Sequence, residues 1–348
     1  MRIISKTFSL VAIYILFAFS ADGEVLRDYW PTSEWRISSP EIQGIGPEKL
    51  EKLSTYVQDE LPMTTSVLLI RHGYIVFEYY AQDDPEKLRT IWWVTKSVLS
   101  SLTGIVVRQG FIKSIDEPIL SYFPEYTKDR VNQKSKEISI RHLLTMSSGI
   151  DQEEQDSLVR PDIFSRSLRN DPGKEFFYND IGPQLLSMIL TKATGLSAAD
   201  IAKKFLFGPI GISIFNWSMN NIGGVNCSEG GYGLQMTTRD LAKLGFLYLN
   251  NGVWDKTQIV PLDWILESTK KQIEVPKSSW YFINGYGYFW WIRSIENHSA
   301  FTALGYGGQY IYVIPDLDIV VVITTLDAEN ESSYLQIIDS FIVPSVMK

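Results

Sequence analysis

Histidine and cysteine are nearly missing from this chain. Its 348 residues hold three histidines (His72, His142 and His298) and a single cysteine, Cys227. They are far apart and in unlike contexts, which excludes a structural zinc site and an intrachain disulfide framework. The shortage also turns the reading away from histidine-based catalysis: a hydrolase built on this chain has to draw on another base. Positive charge is short as well. Thirty-two Lys and Arg face 40 Asp and Glu, a formal net charge of −8. An acidic body argues against nucleic-acid binding, which needs a basic face. No Gly-x-Gly-x-x-Gly unit follows a strand, and the run Gly305-Tyr306-Gly307-Gly308 is not followed by a helix, so no phosphate loop is read. The scattered acids offer no metal cluster. No cofactor and no metal is therefore expected. There is no internal repeat and no low-complexity block.

Long hydrophobic runs are also missing, with one short exception. Residues 7–19 are apolar, follow Arg2 and Lys6, and fall short of the ~20 residues that a spanning helix needs. Ala18-Phe19-Ser20 then places small residues at the −3 and −1 positions of a cleavage point after Ser20. This is the layout of a secretory signal peptide over residues 1–20, with an uncleaved membrane anchor as the alternative. The expected compartment is periplasmic or extracellular, with no membrane contact beyond this segment. No cysteine lies near the cleavage point, so lipid attachment there is excluded. Four Asn-x-Ser sequons, at Asn216, Asn226, Asn297 and Asn330, matter only if the source glycosylates.

Aromatic residues, by contrast, are abundant. They make up 13% of the chain, with ten tryptophans, which excludes disorder as the main state. Length and composition fit one large domain, or two subdomains sharing a core. Residues 21–45 are spaced by Pro and Ser and read as a wrapping arm. Residues 46–60 read as a helix with Leu50, Leu53 and Val57 on one face. Residues 66–70 and 74–80 read as a hairpin, with His72 an exposed residue of its turn. Val94, Val98, Leu102, Ile105 and Val106 mark a largely buried helix over 94–109. The stretch 115–270 alternates short helices with Pro/Gly loops and reads as mostly helical. Strands follow at 286–292, 309–314 and 319–325, with Pro315-Asp316 as a turn, and then a helix over 332–341. The expected fold is α/β (α+β): an antiparallel sheet built from both ends of the chain and flanked by helices. Its α/β part covers about 46–110 and 275–348, and an inserted helical part covers about 111–274. The cleft between the two parts is the default ligand site, for a small-molecule or peptide-like ligand.

Seven segments then carry a family likeness: WWVTKSVLSSLTGI (92–105), SIDEPILSYFPEY (114–126), ISIRHLLTMSSGI (138–150), GKEFFYNDIGPQLLSMILTKATG (173–195), GGYGLQMTTRDLAKLGFLYLNNGVWD (230–255), YGYFWWI (286–292) and ALGYGGQYIYVIPDLDIVVVIT (303–324). In this order they resemble the serine β-lactamase and penicillin-recognising family. The likeness is nearer to its class C β-lactamase-related hydrolases, esterases and 6-aminohexanoate-dimer hydrolases. The resemblance implies a β-lactamase/transpeptidase-like fold and hydrolysis of amides or esters through an acyl-enzyme. It also implies three site elements. The first is Ser-x-x-Lys at the start of a buried helix, where residues three apart share a face. The second is a Tyr-x-Asn loop whose tyrosine, near the lysine's charge, serves as a base. The third is a Lys- or His-x-Gly element on an edge strand, whose N–H completes an oxyanion hole.

In this sequence the first element reads Trp93-Val94-Thr95-Lys96, with tryptophan at the nucleophile position. The second reads Tyr178-Asn179-Asp180, and the third Ala303-Leu304-Gly305, followed by Tyr306. The resemblance therefore gives Lys96 and Tyr178 as the catalytic pair. Trp93, Asp180, Gly305 and Tyr306 become the oxyanion and substrate-binding positions, with glycines that let a substrate approach the strand. Indole offers no nucleophile, and its ring is expected to stack over Lys96. Ser97 and Ser100 are the nearest other serines, and both read as helix-packing residues. Ser147 and Ser148 belong to a structural stretch, and His142 reads as a packing or capping residue. Of Trp290 and Trp291, at most one faces a ligand. Two functions compete: a serine hydrolase rescued by another nucleophile, or a catalytically dead relative that binds a peptide, a cell-wall fragment or a partner.

Overall fold

The structure is a computed structural model that describes residues 27–82, 84–128, 131–152, 159, 162–277, 282–326 and 331–347. The residues read as a signal segment with its cleavage point, the first residues of the expected arm and the Asn330 sequon lie outside the described residues.

Helix α1 (Pro47–Glu60) leads into a hairpin of β1 (Thr64–Arg71) and β2 (Tyr74–Tyr80). A short strand β3 (Arg89–Thr90) precedes the buried helix α2 (Val94–Arg108). The middle of the chain holds α3 (Ile140–Leu144), α4 (Ile181–Thr194) and α5 (Ala198–Ala202). It is less purely helical than its sequence suggests. Strands β4 (Asn216–Trp217) and β7 (Leu234–Met236) pair around β3, and β5 (Met219–Ile222) pairs with β6 (Val225–Ser228). Helix α6 (Thr238–Leu249), the ribbon of β8 (Val253–Trp254) and β9 (Thr257–Gln258), and α7 (Leu262–Ser268) follow. The chain then returns to the main sheet through β10 (Gly285–Tyr286), β11 (Trp291–Ile295), β12 (His298–Gly305), β13 (Gln309–Ile314) and β14 (Ile319–Thr325). Helix α8 (Glu331–Gln336) continues into a π-helical turn, Ile337–Ile342, where the sequence suggested a single α-helix.

The main sheet has the order β10-β11-β12-β13-β14-β1-β2, with every neighbouring pair antiparallel. Strands β13 and β14 are buried along their whole length. This explains why Ile319–Thr325 is a continuous apolar run rather than an alternating one: both faces are covered. Helices α2 and α6 cover one face. Gly245 brings α6 so close that a Cβ there would lie 2.5 Å from Val320 Cγ1 and 2.9 Å from Ile311 Cγ2. The alternate residues Tyr310 and Tyr312 point to the other face, where Tyr310 meets Tyr334 of α8 and Arg293 of β11 pairs with Asp339. Helix α6 therefore belongs to the sheet's own layer, although it lies within the stretch read from sequence as the helical insert.

Three further expectations change. The strand read at 286–292 is broken at Phe289, which has φ 60°. Its backbone serves neighbours instead of the sheet: Phe289 N donates to Leu144 O, and Phe289 O accepts from Ser97 Oγ. Strand β12, with all but its first two residues buried, was not read as an element in its own right. His72 does occupy the hairpin turn, with φ 52°, but it is half-buried and its Nδ1 lies 3.1 Å from Gln43 Oε1. Over the described part of the arm, Arg27 makes a two-pronged pair with Asp318, Trp30 packs on Phe246 and Trp254, and the Trp35 indole donates to Arg239 O.

Candidate functional site

The site is laid out by the first turn of α2. Trp92 stands just before it at φ 46°, a conformation that bulky residues rarely adopt. Its carbonyl accepts from Thr95 N and from Thr95 Oγ1. Trp93 O accepts from Lys96 N at 3.0 Å, so residues 93 and 96 share one face of a fixed turn. Lys96 is only 1% exposed. Its Nζ donates to Asp180 Oδ1 at 2.6 Å and to Gly231 O at 3.3 Å. The same nitrogen lies over two rings, 5.1 Å from the centroid of Trp93 and 4.8 Å from that of Tyr178. Burial pulls the Lys96 pKa down to about 8, while the Asp180 carboxylate, by charge and hydrogen bond, opposes a further fall.

The Trp93 ring meets Tyr178 edge to face at 5.4 Å and Tyr306 at 5.6 Å, and Tyr306 in turn meets Trp92 at 5.5 Å. Tyr178 stacks on Trp291 at 5.6 Å, and Trp291 packs against Tyr286 at 4.7 Å. A continuous array of rings thus runs from exposed Tyr306 to buried Tyr286. Such edge-to-face pairs stabilise by about 0.5–1.5 kcal/mol each beyond the area they bury.

Tyr178, Asn179 and Asp180 enter α4. Asn179 fixes this loop: its Oδ1 accepts from Gly182 N at 2.7 Å and its Nδ2 donates to Phe177 O at 2.9 Å. Gln152 Oε1 accepts from Asp180 N at 2.7 Å. Gly231 completes the arrangement, because a Cβ there would lie 2.8 Å from Asp180 Oδ1. Only a residue without a side chain lets this carbonyl reach Lys96 without displacing the carboxylate.

Gly305 ends β12, paired across the turn with Gln309. Two expectations are corrected here. Strand β12 is not at an edge of the sheet, since β10 and β11 lie beyond it. The missing side chain of Gly305 also makes no room for a ligand: a Cβ would lie 2.5 Å from Ile91 O. This glycine lets the strand end approach the backbone just before α2. All six residues singled out, Trp93, Lys96, Tyr178, Asp180, Gly305 and Tyr306, lie in or beside one ring-lined cluster.

The beta-lactamase family profile matches residues 63–336. This chain belongs to the beta-lactamase family. It is 24% identical over 339 residues to 6-aminohexanoate-dimer hydrolase of Paenarthrobacter ureafaciens, covering 88% of this chain and 83% of that protein. In fold it is similar to an octameric penicillin-binding protein homologue from Pyrococcus abyssi, with TM-score 0.68 and 21% identity over 86% of this chain and 78% of that one. It is likewise similar to a class C beta lactamase from Rhodobacter sphaeroides, with TM-score 0.66 and 15% identity over 84% of this chain and 97% of that one.

Within this beta-lactamase fold the remaining candidates are buried or bonded to other groups. Ser97 Oγ is buried and donates to Phe289 O at 2.7 Å, and Ser100 Oγ is buried in the helix packing. Ser147 bonds Thr145. His142 is a capping residue: its Nδ1 accepts from Ser139 N, so Nε2 carries the proton of the neutral ring. Both Trp290 and Trp291 are buried, but they diverge. Trp290 packs on Tyr248 and Phe301, and Trp291 faces Tyr178. Among the described residues, no group of three or more His, Cys, Asp or Glu is placed to hold a metal ion. Sequence reasoning named Asn179 only as the middle of its motif, with no role, and missed Trp92, Gln152 and Gly231. Of these only Gly231, in the paired glycines of GGYG, carries a local signal.

Proposed function

We propose that this beta-lactamase-family protein has its acyl-transfer centre closed by Trp93, so that amide or ester hydrolysis through an acyl-enzyme is absent or much weakened. The reading rests on one observation: the side chain at residue 93 is an indole packed between Lys96, Tyr178 and Tyr306. An indole ring has no lone pair fit for attack on a carbonyl, and loss of a catalytic serine in an unrelated hydrolase costs about 10⁶ in kcat. Lys96 and Tyr178 are then the remnants of the base pair, and the backbone at Gly305 and Tyr306 those of the oxyanion side. Asp180 holds Lys96 as an ion pair in place of the amide that the family motif carries.

On this reading the exported protein, periplasmic or extracellular, uses the region between its α/β and helical parts to bind a peptide or cell-wall fragment without cleaving it. The competing reading is a working hydrolase. It is favoured by Lys96, whose lowered pKa leaves part of the amine unprotonated near neutral pH. The two are separated by a fluorophosphonate probe and a chromogenic ester. The wild type is expected to stay unlabelled and to turn over at background rate, and Trp93→Ser to gain esterase activity. Stoichiometric labelling of a serine in the wild type overturns the proposal.

A further inference from the structure

Lys96 carries its charge where water hardly reaches, since the residue is only 1% exposed. An ammonium has three N–H groups. Two acceptors answer it, Asp180 Oδ1 at 2.6 Å and Gly231 O at 3.3 Å. The ring faces of Trp93 and Tyr178 add an attraction of their own, with centroids 5.1 and 4.8 Å from Nζ. A ring face attracts a cation through its quadrupole and a neutral amine far less. The contact with Trp93 therefore exists in full only while Lys96 is protonated. Trp93 also lies toward the surface: it is half-buried, and its edge-to-face neighbour Tyr306 is 45% exposed.

We propose that Lys96 is the latch of a pH-sensitive gate: its ammonium holds the Trp93 ring closed over the centre, and loss of its proton to solvent lets the ring swing outward. The gate rests on the reading of Trp93 as the closure of that centre. A proton that interacts with the ring in the closed state and not in the open one shifts the balance between them, by an amount set by that difference. For a desolvated cation and an indole the difference is a change of about tenfold to thirtyfold in the closed-to-open ratio. The edge-to-face contacts of Trp93 with Tyr178 and Tyr306 do not depend on the proton, and they moderate the swing. Burial brings the loss of the proton down to about pH 8. The event that frees the ring also leaves a neutral amine beside Tyr178, so the centre opens in the form in which Lys96 can act as a base.

Other titrating groups surround the latch. Asp180 holds it from the start of α4, and Glu229 and Tyr232 lie in the field of Asp180 from the segment before β7. Tyr178 and Tyr306 touch the Trp93 ring, and Tyr286 also feels Asp180. Burial raises the pKa values of Tyr232 and Tyr286 above the ordinary tyrosine value, so these two phenols ionise above the window in which Lys96 does.

The test is fluorine NMR of the full chain labelled with fluorotryptophan, with a soluble nitroxide reporting which rings meet solvent. The Trp93 signal is the one lost in Trp93→Phe. It is expected to be shielded from the nitroxide at about pH 6.5 and exposed at about pH 9.5, on either side of the Lys96 pKa. The closed-to-open ratio is expected to fall by about tenfold or more between them. In Lys96→Met the signal is expected to be the same at both pH values, because the other titrating groups are still present and the latch is not. Since that variant can fold poorly, Asp180→Asn supplies a second reading. Without the carboxylate the ammonium loses its proton more easily, and opening is expected at lower pH. The proposal is overturned by a wild-type ring equally shielded at both pH values, by the same opening in Lys96→Met, or by an unmoved midpoint in folded Asp180→Asn. A ring already exposed at about pH 6.5 overturns the closure reading itself, and the gate with it.

Discussion

At residue 96 the protein holds an ammonium that its surroundings only half accept. In the unfolded chain Lys96 keeps its proton to about pH 10.5, and in the folded chain to about pH 8. Between these values the unfolded state binds the extra proton, so stability rises with pH across that window, and below it the whole cost of burying the charge is present. Lys96→Met is expected to remove this rise. It is measured as the difference between wild-type and variant urea midpoints from about pH 7 to about pH 10.5. The difference matters because buried tyrosines such as Tyr286, whose pKa burial raises, titrate in both proteins. Midpoints that run parallel across the window contradict the assignment. Asp180→Asn keeps the shape but removes the negative partner. It is expected to cost about 1.5–3 kcal/mol at pH 7, as for a hydrogen bond to a charged group, and less at pH values well above the Lys96 pKa of about 8, where the amine is mostly neutral in the wild type. A penalty of the same size at both pH values would show that the ion pair is not its source. The sequence pointed to Lys96 and Asp180 because motif spacing is local. It could not point to Gln152, and gave no more than paired glycines for Gly231, because the parts of both depend on a close approach between segments distant along the chain.

At the scale of elements, legibility followed burial pattern. Gln309–Ile314 and Ile319–Thr325 form as the sequence suggested, because two-sided cover leaves an unbroken apolar run. YGYFWWI reads as a strand by the same reasoning, yet the chain turns aside at Phe289 because α2 and the end of α3 claim its backbone groups. No periodicity reports such a tertiary demand. The packing of α6 depends on a single missing side chain. Gly245→Val is expected to force α6 away from Val320 and Ile311 and to destabilise by about 1–3 kcal/mol, the usual cost of overpacking. Urea denaturation reads this directly, and an unchanged midpoint would mean that the helix can shift without penalty.

At the scale of the whole molecule, the ends of the chain are its centre. Strand β14 pairs with β1 along nearly its full length, Thr64 opposite Thr325 and Arg71 opposite Ile319. The chain's two flanks meet again where Gly46 N donates to Ser345 O and Met347 N to Gly44 O. A chain truncated after Leu317 keeps every other strand but splits the sheet between β13 and β1. It is expected to lose its cooperative unfolding transition by tryptophan fluorescence, and a sharp transition at the wild-type midpoint would show that the two parts are stable alone.

The β1–β14 pairing also sets an order in time. Residue 64 cannot find its partner until residue 325 has left the ribosome, and contacts so far apart in sequence form slowly. During synthesis the β14 side of the hairpin therefore has nothing to pair with until the last strand of the sheet is made.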